Sequence, residues 1–169
     1  MFGFLRGKGF MHNQQNKAKL FLIGLLFVII GMIVASLFSL PVWLSSFRML
    51  PGGALRLFFC YFLSVVFFFA CGVIVSYVYT YKQSFGQYSK KILTDIMISY
   101  VLRLIWIIIF FGSNSVIVSV LCLCASIVFL IFAVISSFRH SLILSLIEFL
   151  MIFEEAALLV YNLKFMLLN

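Results

Sequence analysis

Five apolar runs, each close to the length needed to cross a bilayer, are separated by short joints that hold most of the charge. They lie at about residues 20–40, 57–79, 92–111, 116–138 and 141–166. A helix of roughly 20 residues spans the ~30 Å hydrocarbon layer. Inside lipid the backbone must satisfy its own hydrogen bonds, which leaves the helix as the natural state of such a run. The expected fold is therefore an all-α membrane protein, a bundle of five transmembrane helices. Composition agrees: 66% of the 169 residues are hydrophobic and 9% charged, and the mean hydropathy is +1.28. Soluble domains are about half apolar and a quarter charged. The chain divides into a basic N-terminal segment, residues 1–19, and a five-helix domain, residues 20–169. The first run exceeds a signal-peptide core and reads as an uncleaved first helix.

The net charge of +8 would point to nucleic acid in a soluble protein. Here the basic residues fall in the joints and form no continuous face for phosphates, so no nucleic-acid partner is expected. Arg6, Lys8, Lys17, Lys19, Lys82, Lys90, Lys91 and Arg139 collect on one side, with Arg48, Arg56 and Lys164 opposite. The positive-inside rule places the N-terminus inside and the C-terminus outside. The joint at 41–56 holds both prolines and Trp43, and Pro51-Gly-Gly signals a turn. Gly31, Ala35 and Ser39 in the first run, and Ser64, Gly72 and Ser76 in the second, offer small faces for close helix packing.

The last run departs most from a plain membrane span. Three of the four acidic residues, Glu148, Glu154 and Glu155, lie in it. Glu148, Glu155 and Asn162 recur every seven residues and form one polar stripe on a helix. Ionisable groups at membrane depth are costly and face a protein partner or a wet cavity.

Arg103, in the third run, sets the corresponding expectation. With the third and fifth runs crossing in the same direction, Arg103 lies eleven residues into its span and Glu154 thirteen into its own. That is a depth difference of only ~3 Å. An ion pair of Arg103 with Glu154 or Glu155 is geometrically easy and relieves both isolated charges. It could serve as a register-fixing pair, line a cavity for a polar ligand, or meet another subunit. Three glutamates against one arginine leave at least one protonated, wet or partnered elsewhere.

No catalytic constellation, phosphate loop, nucleophile elbow or metal-ligand spacing is found. His12 lies in the N-terminal segment and His140 beside Arg139 in a joint. Cys60, Cys71, Cys122 and Cys124 read as small apolar core residues; Cys122 and Cys124 point about 200° apart on a helix. No metal and no required cofactor are expected.

The sequence Arg103-Leu-Ile-Trp106-Ile-Ile-Ile-Phe110-Phe111-Gly112 resembles the third-helix pattern N-x-x-W-x-x-x-F-F-G of the TspO/MBR family, the tryptophan-rich sensory or translocator proteins. The likeness runs without gaps to the C-terminus. The family's late Leu-Asn falls at Tyr161-Asn162 and its terminal Leu-Asn at Leu168-Asn169. The differences are specific: Arg103 replaces an Asn, Leu150-Met151 a Pro-Tyr, and Glu154 a Trp. The first loop lacks the P-x-W-x-x-P-x-W run, keeping only Trp43, Pro51 and a later Tyr61.

The resemblance implies a five-helix bundle, often a homodimer, that binds a porphyrin, haem or another flat hydrophobic molecule such as a sterol between its helices. That molecule would be a ligand for sensing or transport. The ligand-binding residues so implied are Trp106, Phe110, Phe111 and Asn162. Glu154, at the former Trp position, suggests a more polar cavity. Alternatives are a non-catalytic subunit of a larger membrane complex and an ion-coupled carrier using Glu148 and Glu155 as relays. The carrier ranks last, because no Pro or Gly pair breaks the later spans. The expected location is multi-pass in a bacterial inner membrane or an organelle membrane, with lipid as the surrounding partner.

Overall fold

The structure, a computed structural model, describes residues 3–36, 53–113 and 115–168, with side chains at 18–34, 36, 62–112 and 115–167. The described residues contain helices and turns and no strand. In chain order the helices are α1 (Gly3–Ser36), α2 (Gly53–Thr80), the short α3 (Lys82–Phe85), α4 (Tyr88–Ile108), α5 (Val116–Ser137) and α6 (Leu142–Leu168). A π-helical turn, Ile109–Ser113, continues α4. The joint holding Trp43, Arg48 and Pro51, together with Ser39 and Asn169, lies outside the described residues. So do the side chains of Ala35, Cys60 and Tyr61.

Each long helix covers one of the apolar runs. Among the described residues three segments are long and apolar enough to cross a membrane, Phe62–Thr80, Tyr88–Gly112 and Val116–Ser137. These are the mark of an integral membrane protein. The apolar part of α1, Ala18–Val34, is shorter, while α6 has 27 residues but carries Glu148, Glu154, Glu155 and Lys164. The α1 helix begins far earlier than its apolar run. The segment before that run holds Lys8, Lys17, Lys19, Gln14 and Gln15, all good helix formers, and no proline; Gly7 and Gly9 weaken a helix without stopping it.

The packing is that of a bundle in which α4 is central. It lies against α5 and α2, α5 lies against α6, α2 meets α6, and α1 rests on α2 and reaches α4. Outward-facing side chains such as Phe21, Leu22, Ile117, Leu121, Ile135 and Ile143 are large, apolar and exposed. A lipid-facing surface has that character.

Small residues set the closest approach of α1 and α2. A Cβ built on Gly72 would lie 2.6 Å from the Cα of Gly24, and one on Gly31 would lie 2.2 Å from the Phe68 ring. Gly31 and Gly72 thus act as expected from their small faces, and Gly24 joins them. The Tyr100 hydroxyl then ties α4 to α1 by donating to the Phe27 carbonyl at 3.0 Å.

The joint between α2 and α4 is more ordered than its polar sequence suggests. Phe85 is buried under Tyr77 and His140, with ring centroids 6.1 and 5.8 Å apart. Gly86 follows with φ +52°, a left-handed conformation that residues with a Cβ seldom adopt. It lets the chain reverse into α4.

Candidate functional site

Arg103 is the fully buried centre of the bundle. Its Nη2 donates to Glu154 Oε1 at 2.6 Å, and its Nη1 donates to Glu155 Oε2 at 2.8 Å. Adjacent residues on a helix project about 100° apart, and the planar fork of the guanidinium meets both. Ser64 of α2 accepts from the same Nη2 at 3.2 Å. Phe67 and Trp106 flank the cation, their ring centroids 5.0 and 4.9 Å from its central carbon. One side chain therefore joins α2, α4 and α6.

The polar stripe on α6 faces the seam with α5, and each member finds a serine there. Ser119 donates to Asn162 Oδ1 at 3.0 Å, and Ser126 donates to Glu155 Oε1 at 3.0 Å. Ser137 is hydrogen-bonded to Glu148 and lies 3.1 Å from the Ser145 hydroxyl. Ser119 and Ser126 are seven residues apart, as are Asn162 and Glu155. Two antiparallel helices with the same seven-residue period bring such residues together at successive levels. At the level of Glu148 the matching α5 residue is Ala133, and Ser137, one turn on, supplies the hydroxyl.

Glu148 thus belongs to a separate cluster and does not meet Arg103. That resolves the excess of acids in part, since one glutamate of three is partnered elsewhere. Its other oxygen, Oε1, has no hydrogen-bond partner among the described residues, and the same holds for Asp95 Oδ2 on α4.

The residues implied by the resemblance fall into two groups. Trp106, Phe110, Phe111 and Asn162 come together. Trp106 stacks on Phe110 at 5.4 Å and 14° and meets Phe111 edge-on at 5.9 Å. Its Nε1 donates to Asn162 Oδ1 at 3.4 Å, while Asn162 Nδ2 donates to the Leu158 carbonyl at 2.8 Å. All four are buried, and they form a packed layer one level from Arg103. The π-helical turn starts at Ile109 and carries two members of this layer, Phe110 and Phe111.

Glu154 is placed differently. It lines a groove of about 370 Å³ between α2 and α6, with Leu63, Val66 and Ala70 on one wall and Leu150, Met151 and Phe153 on the other. Among the described residues it is the only charged one that lines the groove, and it is 8% exposed where Glu155 is 0%. A larger hollow, about 460 Å³, lies along α4 at Leu93, Met97 and Val101, but among the described residues Thr94 is its only polar lining residue. Apolar volume alone does not orient a ligand; a convergent polar group does. The α2–α6 groove is the better candidate.

Several participants have no site signal in the sequence, among them Ser137 beside Glu148 and Phe67 beside Arg103. Ser126 and Ser119 pass unnoticed in an apolar run, although matching depths along the fourth and fifth runs would have found them. Ser64 was read as a packing residue and is also a partner of Arg103. Among the cysteines, Cys71 is buried as expected, whereas Cys122 is half-buried and Cys124 exposed. An outward small apolar side chain costs nothing against lipid.

No protein-family model, curated protein or solved structure matches the chain.

Proposed function

We propose that the protein is a five-span membrane protein of TspO-like plan, N-terminus inside, that binds a flat hydrophobic ligand of the porphyrin or sterol class in the α2–α6 groove for sensing or transport. One observation carries this reading. Leu150, Met151 and Glu154, the positions where the resemblance sets the Pro, Tyr and Trp of the family's ligand pocket, all line that groove. Ligand pockets commonly enclose about 300–1,000 Å³, mostly apolar with few polar groups. This groove has that make-up, with Glu154 as the orienting group. Trp106 supports the site from behind by packing on Arg103, which pairs with Glu154, and Phe110, Phe111 and Asn162 pack around Trp106.

The test is a titration of detergent-purified protein with a fluorescent sterol, followed by energy transfer from tryptophan. Saturable binding in the low micromolar range is expected, weakened several-fold by Leu63→Trp, which fills the groove. Non-saturable partitioning, the same for wild type and Leu63→Trp, would contradict the reading. The protein would then be better described as a subunit whose α2–α6 groove is closed by a neighbouring membrane helix.

A further inference from the structure

We infer that the α2–α6 groove selects ligands whose polar head is a cation or a hydrogen-bond donor, and disfavours those with a carboxylate head. This rests on the reading of the groove as a ligand site and names the class of ligand it takes.

Arg103 brings one positive charge to two carboxylates, so the cluster is one positive charge short when both glutamates are ionised. Within it, Glu155 is closed off: one oxygen takes Arg103 Nη1, the other takes Ser126, and the side chain has no exposed surface. Arg103 is enclosed by Phe67, Trp106 and its three polar partners, so its charge cannot be offered to an anion. Glu154 alone reaches the groove, with one oxygen on Arg103.

The free edge of Glu154 is therefore the one place where the missing positive charge can be supplied from outside the cluster. A proton does this, and so does an ammonium group on an apolar body. A hydroxyl donates to the same edge without supplying charge. A carboxylate brings a second anion against the first in a low-dielectric wall of Leu, Val, Ala and Phe, where repulsion is screened little. Of the two ligand classes considered above, the hydroxyl-headed sterols fit and the acidic porphyrins do not.

The experiment uses the full chain in nanodiscs of zwitterionic lipid, with empty nanodiscs correcting for partition. Three probes share one cholestane body and differ only at C3, which carries an amine, a hydroxyl or a carboxylate. Each displaces a fluorescent sterol. The expected order in wild type is amine, then hydroxyl, then carboxylate, the ends of the series differing by at least about tenfold in Kd. In Glu154→Gln the amine should lose its advantage over the hydroxyl while the hydroxyl probe still binds.

Equal displacement by all three heads in wild type, or a preference for carboxylate, would overturn the head-group selection and leave groove binding standing. Displacement by none, with no saturable sterol binding at all, would remove the ligand site itself. Because the wild-type series needs no variant, poor folding of Glu154→Gln would not spare the inference.

Discussion

Replacing Arg103 with methionine is expected to destabilise the bundle by about 3–5 kcal/mol, the usual cost of leaving buried charge without its partner. Methionine has nearly the right length and fits the slot between Phe67 and Trp106, so packing is largely kept and the electrostatic loss is isolated. Glu155 would retain only the Ser126 hydroxyl, Glu154 would lose the guanidinium that pairs it, and Ser64 would lose its bond to the same group. Lysine at the same place should do better than methionine but worse than arginine. A single ammonium lacks the planar fork that meets two carboxylates and a hydroxyl at once.

The informative variant is the triple one, Arg103→Met with Glu154→Leu and Glu155→Met. A buried ion cluster is expensive to desolvate, and apolar replacements of similar volume are often neutral or stabilising. Ser126 can turn its hydroxyl to a carbonyl of its own helix. The triple variant should therefore regain most of the thermal stability lost in Arg103→Met, while losing any effect of ligand head group. Thermal unfolding in one detergent, read by helicity across the series, checks this. If Arg103→Met melts with wild type, the buried pair does not hold the bundle.

The second large effect is expected at Trp106. Changing it to alanine removes a fully buried ring, the stack on Phe110, one face of the cation–π sandwich and the donor to Asn162. Large-to-small changes of this kind cost about 3–5 kcal/mol when the surroundings cannot collapse. The helices here are held on either side by the Arg103 cluster and by the Ser119–Asn162 contact, so collapse is restricted. Phenylalanine should recover much of the loss, because it restores ring volume and lacks only the N–H. Asn162 Oδ1 would still hold Ser119. Reversible unfolding in mixed micelles should rank the three as wild type, then Trp106→Phe, then Trp106→Ala. Near-wild-type stability of Trp106→Ala would mean that the layer is loosely packed.

These two residues also show how far the sequence carries the structure. The meeting of Arg103 with the glutamates followed from counting depth along two runs of the same direction. Counting alone did not choose between Glu154 and Glu155; both are used, because a guanidinium has two ends. The stripe on α6 followed from its seven-residue period, but its partners on α5 did not. Serine in an apolar run serves equally as a small packing residue or as a hydroxyl donor, and it can satisfy itself on its own helix. Only the antiparallel register decides, and that depends on the joint at Phe138–Ser141.

Trp106, Phe110 and Phe111 stand out in the sequence only through the family resemblance; composition alone reads them as packing or lipid-facing surface, and the structure packs the three together. Their burial, set by α6 through Asn162 and Phe165, is a property of the neighbour and has no local signature. Likewise Glu154 and Glu155 are chemically identical, and only the position of α2 makes one of them face a groove. The early start of α1 was hidden by polarity, since a helix former such as Lys or Gln marks the end of an apolar run without marking the end of a helix.

The most direct measurement is photolabelling of the protein in lipid with a diazirine sterol, followed by mapping of the labelled residues by mass spectrometry. Insertion is expected in the α2–α6 groove, at Leu63, Val66, Leu150 or Phe153, with loss of that label in competition with unlabelled sterol. Saturable labelling confined to Leu93, Met97 and Val101 along α4, with the α2–α6 residues unmarked, would contradict it.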